Sequence, residues 1–185
     1  MIDEYLQDAR ERMHKSVDAT RSSFSSVRTG RASPTLLDRI VVEYYGTQTP
    51  LKQMATINAP EARLLTIQPY DKSAMKAIER SIQESDLGLT PNNDGQIIRL
   101  QVPELTEERR KQLVKVVRGL TEEGKVALRN IRRDVMHDLK ELKDAGEAGA
   151  DDEHRAEDAL QKLTNEKVAE LDAALKAKEA EITEV

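Results

Sequence analysis

The chain has 185 residues and a net charge of −5, with 34% charged and 3% aromatic residues. That balance suits a helical bundle rather than a large β-rich core, in one or two domains. The absence of Cys excludes a disulfide framework, a thiol nucleophile and a Cys-ligated metal. No stretch approaches the roughly eighteen uninterrupted apolar residues of a membrane span, and the N-terminus is charged from Asp3 onward. Neither a membrane partner nor a secretory signal is expected, and the location read from this is cytoplasmic.

Ile2, Leu6, Ala9, Met13, Val17, Thr20, Phe24 and Val27 recur every three or four residues. They predict one long amphipathic helix ending near Gly30. The next seventy or so residues lack that period. Ile40–Tyr45 is β-branched and aromatic, with Gly46-Thr47 as its turn. Thr56-Ile57, 64–68 and 97–102 read as further short strands. Residues 71–86 read as a helix capped by Asp71, with Met75, Ile78 and Ile82 on its apolar side. Residues 89–95, LTPNNDG, form a turn-rich loop.

Helical periodicity resumes after Thr106, a candidate N-cap, with Glu107 and Glu108 in the first turn where the helix dipole favours them. It runs to about Ala145 and breaks at 146–149. Ala156, Leu160, Leu163, Val168, Leu171, Leu175 and Ile182 mark a third long helix. Apolar stripes on long helices are buried by packing against one another. The fold class is therefore α+β. A long three-helix bundle, 1–29 and 106–185, carries a small β/α/β domain, 31–104, inserted between its first two helices.

The chain crosses between these parts twice, at 28–34 and at 102–106. Thr29, Gly30, Arg31 and Ala32 on the way out, and Pro103, Glu104, Leu105 and Thr106 on the way back, are candidate hinge residues. Gly30 is permissive in φ, whereas Pro34 and Pro103 stiffen their flanks. A hinge and a fixed elbow both fit this composition.

Between Arg109 and Arg133, nine Lys or Arg stand against Glu122 and Glu123 alone, in an otherwise acidic chain of pI near 5.4. At about 100° per residue, Lys111, Lys115, Arg118, Lys125, Arg129 and Arg132 fall within roughly 100° of arc. The apolar stripe Leu113, Val117, Leu120, Leu128, Ile131 and Val135 lies elsewhere on the wheel. Arg110, Arg133 and Arg28 complete the candidate set. Six of the nine cations are Arg, which suits bidentate phosphate contacts. No aromatic is interleaved, so backbone and shape would be read rather than stacked bases. Exposed helices also carry cations for solubility, but usually mixed with Glu, and here the mixing is confined to other segments.

Residues 119–126, GLTEEGKV, nearly match a phosphate-binding loop. Val126 lacks the hydroxyl that would hold Mg²⁺, Glu122 and Glu123 repel phosphate, and the stretch lies within a helical pattern. His137 and Glu141 share a helix face, but no third metal ligand accompanies them. The sequence predicts no catalytic residue, no metal and no cofactor.

Five motifs resemble the ribosome recycling factor family: RTGRASP (28–34), VVEYYGT (41–47), SDLGLTPN (85–92), LTEERRKQLVK (105–115) and RNIRRD (129–134). They occur in order along nearly the whole chain. The resemblance implies a monomer, roughly tRNA-shaped, that binds the large ribosomal subunit and its rRNA after termination. With elongation factor G, which binds and hydrolyses the GTP, it implies splitting of the ribosome into subunits. It also implies that Arg129 and Arg132 approach rRNA, and that 28–32 and 103–106 lie where two domains meet. Without the resemblance, the basic helix also fits an adaptor for an acidic protein or an RNA chaperone.

Overall fold

The computed structural model describes residues 1–184; Val185, the expected last residue of the bundle, lies outside the described residues. In chain order the first elements are α1 (Ile2–Ser25), β1 (Val41–Tyr44), β2 (Thr47–Pro50), α2 (Leu51–Met54), β3 (Ala55–Glu61) and β4 (Leu64–Pro69). They are followed by α3 (Met75–Glu84), β5 (Pro91–Asn93), β6 (Ile98–Gln101), α4 (Glu107–Asp144) and α5 (Ala150–Thr183). The architecture is α+β. Two compact units divide it: one holds Met1–Arg28 and Glu107–Glu184, the other Thr29–Thr106.

The first unit is α1, α4 and α5. Its core joins Ala9, Met13 and Val17 of α1 to Leu128, Val135 and Leu139 of α4 and to Ala156, Leu160, Leu163 and Leu171 of α5. Within each set the residues lie one or two helical turns apart, so one stripe per helix is buried. Leu120 and Ile131, expected on that stripe, are only partly buried. In their place Thr121 and Gly124 are buried. A Cβ on Gly124 would lie 2.6 Å from Thr20 Oγ1 and 3.1 Å from Leu171 Cδ1. The glycine that suggested a phosphate loop is thus a point where α1 and α5 close on α4.

α1 ends at Ser25, not near Gly30. Its last turns are rich in serine, and three hydroxyls take backbone carbonyls: Ser23 Oγ donates to Ala19 O, Ser25 Oγ to Arg21 O and Ser26 Oγ to Ser23 O. Such bonds compete with continuation of the helix. The α4–α5 turn is a Schellman motif. Gly146 has φ +76°, its N–H donates to Lys143 O at 2.9 Å, and Glu147 N–H donates to Leu142 O at 2.9 Å. Lys143 Nζ then meets the buried Glu153 carboxylate at 2.7 Å across the turn.

The second unit has a two-stranded sheet, β1–β2, and a four-stranded antiparallel sheet ordered β3-β4-β6-β5. Tyr45 (φ 49°) and Gly46 (φ 76°) turn the β1–β2 hairpin, the paired positive φ of a two-residue hairpin turn. Alternation on β4 (Leu65, Ile67) and β6 (Ile98, Leu100) sends those side chains into a core shared with Ile78 and Ile82 of α3. Asp71 does cap a helical start. Its side chain accepts from Ser73 N–H, although the first turn, Lys72–Ala74, is 3₁₀ and α3 begins at Met75. Strand β5 falls inside the stretch read as a loop. It is an edge strand of three residues, Pro-Asn-Asn, a composition that marks turns more often than strands.

Candidate nucleic-acid interface

The sequence of α4 fixes which cations can reach outward, because its buried face is set by Leu113, Val117, Leu128, Val135 and Leu139. Lys111, Lys115, Arg118, Arg129 and Arg133 are exposed; Arg110, Lys125 and Arg132 are half-buried. From Lys111 to Arg133 the candidates span about 33 Å along the helix axis. They form a stripe rather than a pocket.

Ion pairs divide that stripe. Glu122 falls on the same arc of the wheel and lies 3.5 Å from Lys125 Nζ. Lys125 also meets Asp172 of α5 at 2.7 Å, leaving its side chain 17% exposed, and the Asp172 bond raises the lysine's pKa. Arg118 Nε donates to Glu179 of α5 at 2.6 Å. Lys111 meets Glu107 at 3.2 Å. Arg129, Arg133 and Lys115 make no ion pair among the described residues. The same holds for Lys140, two turns beyond Arg133, which is exposed on the same side of α4 and which the sequence reading passed over. It lies just past the basic run, so counting charges by segment hid it.

Arg132 is in a third situation. Its Nη1 donates to the amide oxygen of Gln161 on α5 at 2.8 Å, and Gln161 Nε2 donates to Asn165 Oδ1 at 2.9 Å. Its Nε is buried with no hydrogen-bond partner among the described residues. The guanidinium is held by a neutral amide, with no carboxylate paired to it among the described residues. Arg129, Arg132, Arg133 and Lys140 therefore form the densest uncompensated cationic surface on α4.

The remaining candidates are placed by other elements. Arg28 is exposed beyond the end of α1. Thr29 and Gly30 are buried, and Gly30 has φ +78°. A Cβ on Gly30 would lie 3.0 Å from Leu105 Cγ, so its neighbour on the return segment is Leu105 and not Pro103. Both crossing segments are fastened to the β3–β4 connection: Ala32 N–H donates to Ala62 O at 2.7 Å and Val102 N–H to Arg63 O at 2.8 Å. Arg63 also pairs with Glu104 at 3.5 Å. Arg31, Pro103 and Thr106 are exposed.

The small unit exposes aromatic surface as well as charge. Tyr45 is 83% and Tyr70 71% exposed, and Tyr44 packs edge-to-face on Tyr45 with ring centroids 4.5 Å apart. Tyr44 OH donates to Asp71 Oδ2 at 2.5 Å. That bond pushes the Tyr44 pKa up to about 12 and holds the Asp71 carboxyl below its ordinary range. No cluster of His, Cys, Asp or Glu fit for a metal occurs among the described residues, and no described helix is long and apolar enough to cross a membrane.

The chain is thus an α+β protein whose long helical bundle bears an arginine stripe and whose small antiparallel unit follows the first bundle helix in sequence. The family model described as ribosome recycling factor matches residues 20–183. The chain is 57% identical to the ribosome-recycling factor of Rubrobacter xylanophilus over 97% of both chains. It is 55% identical to that of Thermomicrobium roseum over 100% of both. A solution structure of a ribosome recycling factor superposes with TM-score 0.77 at 39% identity, over 100% of this chain and 98% of that one. The T. thermophilus ribosome recycling factor, in models with E. coli elongation factor G bound to the E. coli post-termination complex, gives TM-score 0.65 at 45% identity over 98% of both chains. The chain belongs to the ribosome recycling factor family, and so to the translation factors.

Proposed function

We propose that this chain binds the post-termination ribosome and, with elongation factor G and GTP, splits it into subunits. The bundle docks on rRNA of the large subunit through phosphate contacts from Arg129, Arg132 and Arg133, with Lys140 two turns beyond them and Lys115 farther along α4. The observation that carries this reading is the uncompensated arginine cluster of α4 in a chain of the recycling-factor family. Guanidinium groups pair with phosphate in bidentate geometry and retain their charge at any physiological pH.

The small unit is the part that the elongation factor displaces, and GTP turnover belongs to that partner. The chain is not itself an enzyme: residues 119–126 lie within α4, where Gly124 is filled against Thr20 and Leu171. Within the crossings, Ala32 and Val102 donate to Ala62 and Arg63 of the small unit, Glu104 pairs with Arg63, and Gly30 lies against Leu105. In this reading the pivot lies at 28/29 and 106/107, where the chain passes between the units. The protein acts as a monomer in the cytoplasm.

Light scattering of ribosomes mixed with the chain, elongation factor G and GTP tests this. Dissociation requires all three, and the chain alone hydrolyses no GTP. Splitting that proceeds without elongation factor G, or GTP turnover by the chain alone, refutes the assignment.

A further inference from the structure

α4 and α5 run antiparallel, and their charged flanks meet in a regular register. Arg118 of α4 pairs with Glu179 of α5 at 2.6 Å, and Lys125 with Asp172 at 2.7 Å. From the first pair to the second, α4 advances seven residues and α5 retreats seven, the heptad step of two packed helices. The next step joins Arg132 to position 165, which is Asn165. Here the acid is missing. Arg132 donates instead to Gln161, one helical turn away, and Gln161 is braced by Asn165.

We propose that Gln161 is a positioning residue for RNA binding: it aims the Arg132 guanidinium without neutralising it, at the one step of the α4–α5 charge ladder where a carboxylate would silence the arginine. This inference rests on the reading of α4 as the rRNA-binding face. The first two steps set an acid against the cation: Arg118 stays exposed but is paired with Glu179. Lys125 is drawn against α5 and its side chain left 17% exposed by Asp172 and Glu122. An amide can accept one hydrogen bond from Arg132 while leaving its net charge for phosphate. It also restricts a side chain that otherwise loses much rotamer freedom on binding. At Arg118, Lys125 and Arg132 the surface thus depends on α5, through the charge of the group that meets each cation.

The test uses the full chain and isolated large ribosomal subunits, with affinity measured across a salt series and melting followed by circular dichroism. Gln161→Glu places a carboxylate on Arg132 with almost no change of shape. It should weaken binding about tenfold or more. The log–log salt slope should fall in magnitude by about one, as one phosphate contact is lost. Its melting temperature should be unchanged or higher. Gln161→Met removes the hydrogen bond but not the charge of Arg132. It should cost about threefold in affinity and leave the slope as it is. Arg132→Ala separates the two readings. If it weakens binding while Gln161→Glu keeps wild-type affinity and slope, the positioning role is wrong and the RNA face stands. If Arg132→Ala itself binds like wild type, the RNA face is misassigned and the role of Gln161 falls with it. A Gln161→Glu chain that binds weakly and also melts lower would mark structural damage and overturn the proposal.

Discussion

Gly124 of α4 lies against Thr20 of α1, at a distance that leaves no room for a Cβ, which would approach Thr20 Oγ1 to 2.6 Å. Gly119, in the same helix, has nothing within 4 Å of its own would-be Cβ. Gly119→Ala should therefore stabilise the chain by about 0.5–1 kcal/mol through helix propensity alone. Gly124→Ala gains the same propensity but must push the helices apart, and should destabilise by about 1–3 kcal/mol. Urea denaturation followed by circular dichroism measures both. Equal effects of the two substitutions would contradict the close approach.

Tyr44 and Asp71 tie β1 to the turn preceding α3. The folded Tyr44 pKa is raised, so the bond favours the folded chain fully below the ordinary value of 10.0 and fades as pH rises through about 12. Asp71 is lowered, so its contribution is present above 3.8 and is lost as pH falls through the depressed value. Asp71→Asn removes the negative charge that opposes ionisation of Tyr44. Titration of phenolate absorbance should show one tyrosine of the wild type moving toward ordinary behaviour in this variant. An unchanged titration curve would show that Asp71 is not the cause.

The long helices were readable because apolar residues recur at their natural period, and Met13, Val17, Leu128, Leu160 and Leu171 are all buried as that period requires. The end of α1 was not readable from period alone, since Val27 continues the pattern while serine hydroxyls have already taken the last carbonyls. Strand β2 and the single turn α2 were missed because their residues carry no alternation long enough to count. The cationic face followed from the wheel. Its division did not, because Glu179, Asp172 and Gln161 reach it from α5, and the register of two antiparallel helices is set by packing along their whole length. Glu122 was counted in the segment, but only its place on the arc sets it among the cations.

Gly30 has φ +78°, and the cost of other residues there follows from their access to left-handed backbone. Gly30→Ala should destabilise the small unit by about 1–2 kcal/mol, and Gly30→Asn by less, since Asn visits that region readily. Gly30→Pro cannot adopt the angle at all and should cost most. Leu105 Cγ at 3.0 Å from the would-be Cβ adds to each. Thermal melts of the three variants give the order, and a Pro variant as stable as the Asn variant would contradict the assigned backbone.

The two hydrophobic clusters share no residue: one is built from α1, α4 and α5, the other wholly from 37–100. A chain joining Met1–Arg28 to Glu107–Val185 through a short Gly/Ser link should fold as a helical bundle. It should bind the large ribosomal subunit and fail to split ribosomes, because the unit to be displaced is gone. Loss of helicity in the linked bundle would show that the small unit is needed to complete the fold, and splitting by the bundle alone would end the displacement mechanism.

Compensation along α4 predicts unequal effects for cations that look alike in sequence. Arg129 and Arg133 are exposed and make no ion pair among the described residues, so each is free to meet phosphate. Arg129→Ala and Arg133→Ala should each weaken binding to the large subunit by roughly 1.5–3 kcal/mol, the range for hydrogen bonds to charged groups. Each should also lower the magnitude of the salt slope by about 0.9. Lys125 is held by Asp172 and Glu122, so Lys125→Ala should leave the slope unchanged. Its cost should appear in stability instead, at about 0.2–1 kcal/mol for a pair at the surface. The fold should survive all three substitutions, since none of these side chains belongs to the bundle core. A Lys125→Ala chain whose slope falls as far as that of Arg129→Ala would mean that the lysine leaves Asp172 for RNA, and that charge alone, not its pairing across α5, decides which residues bind.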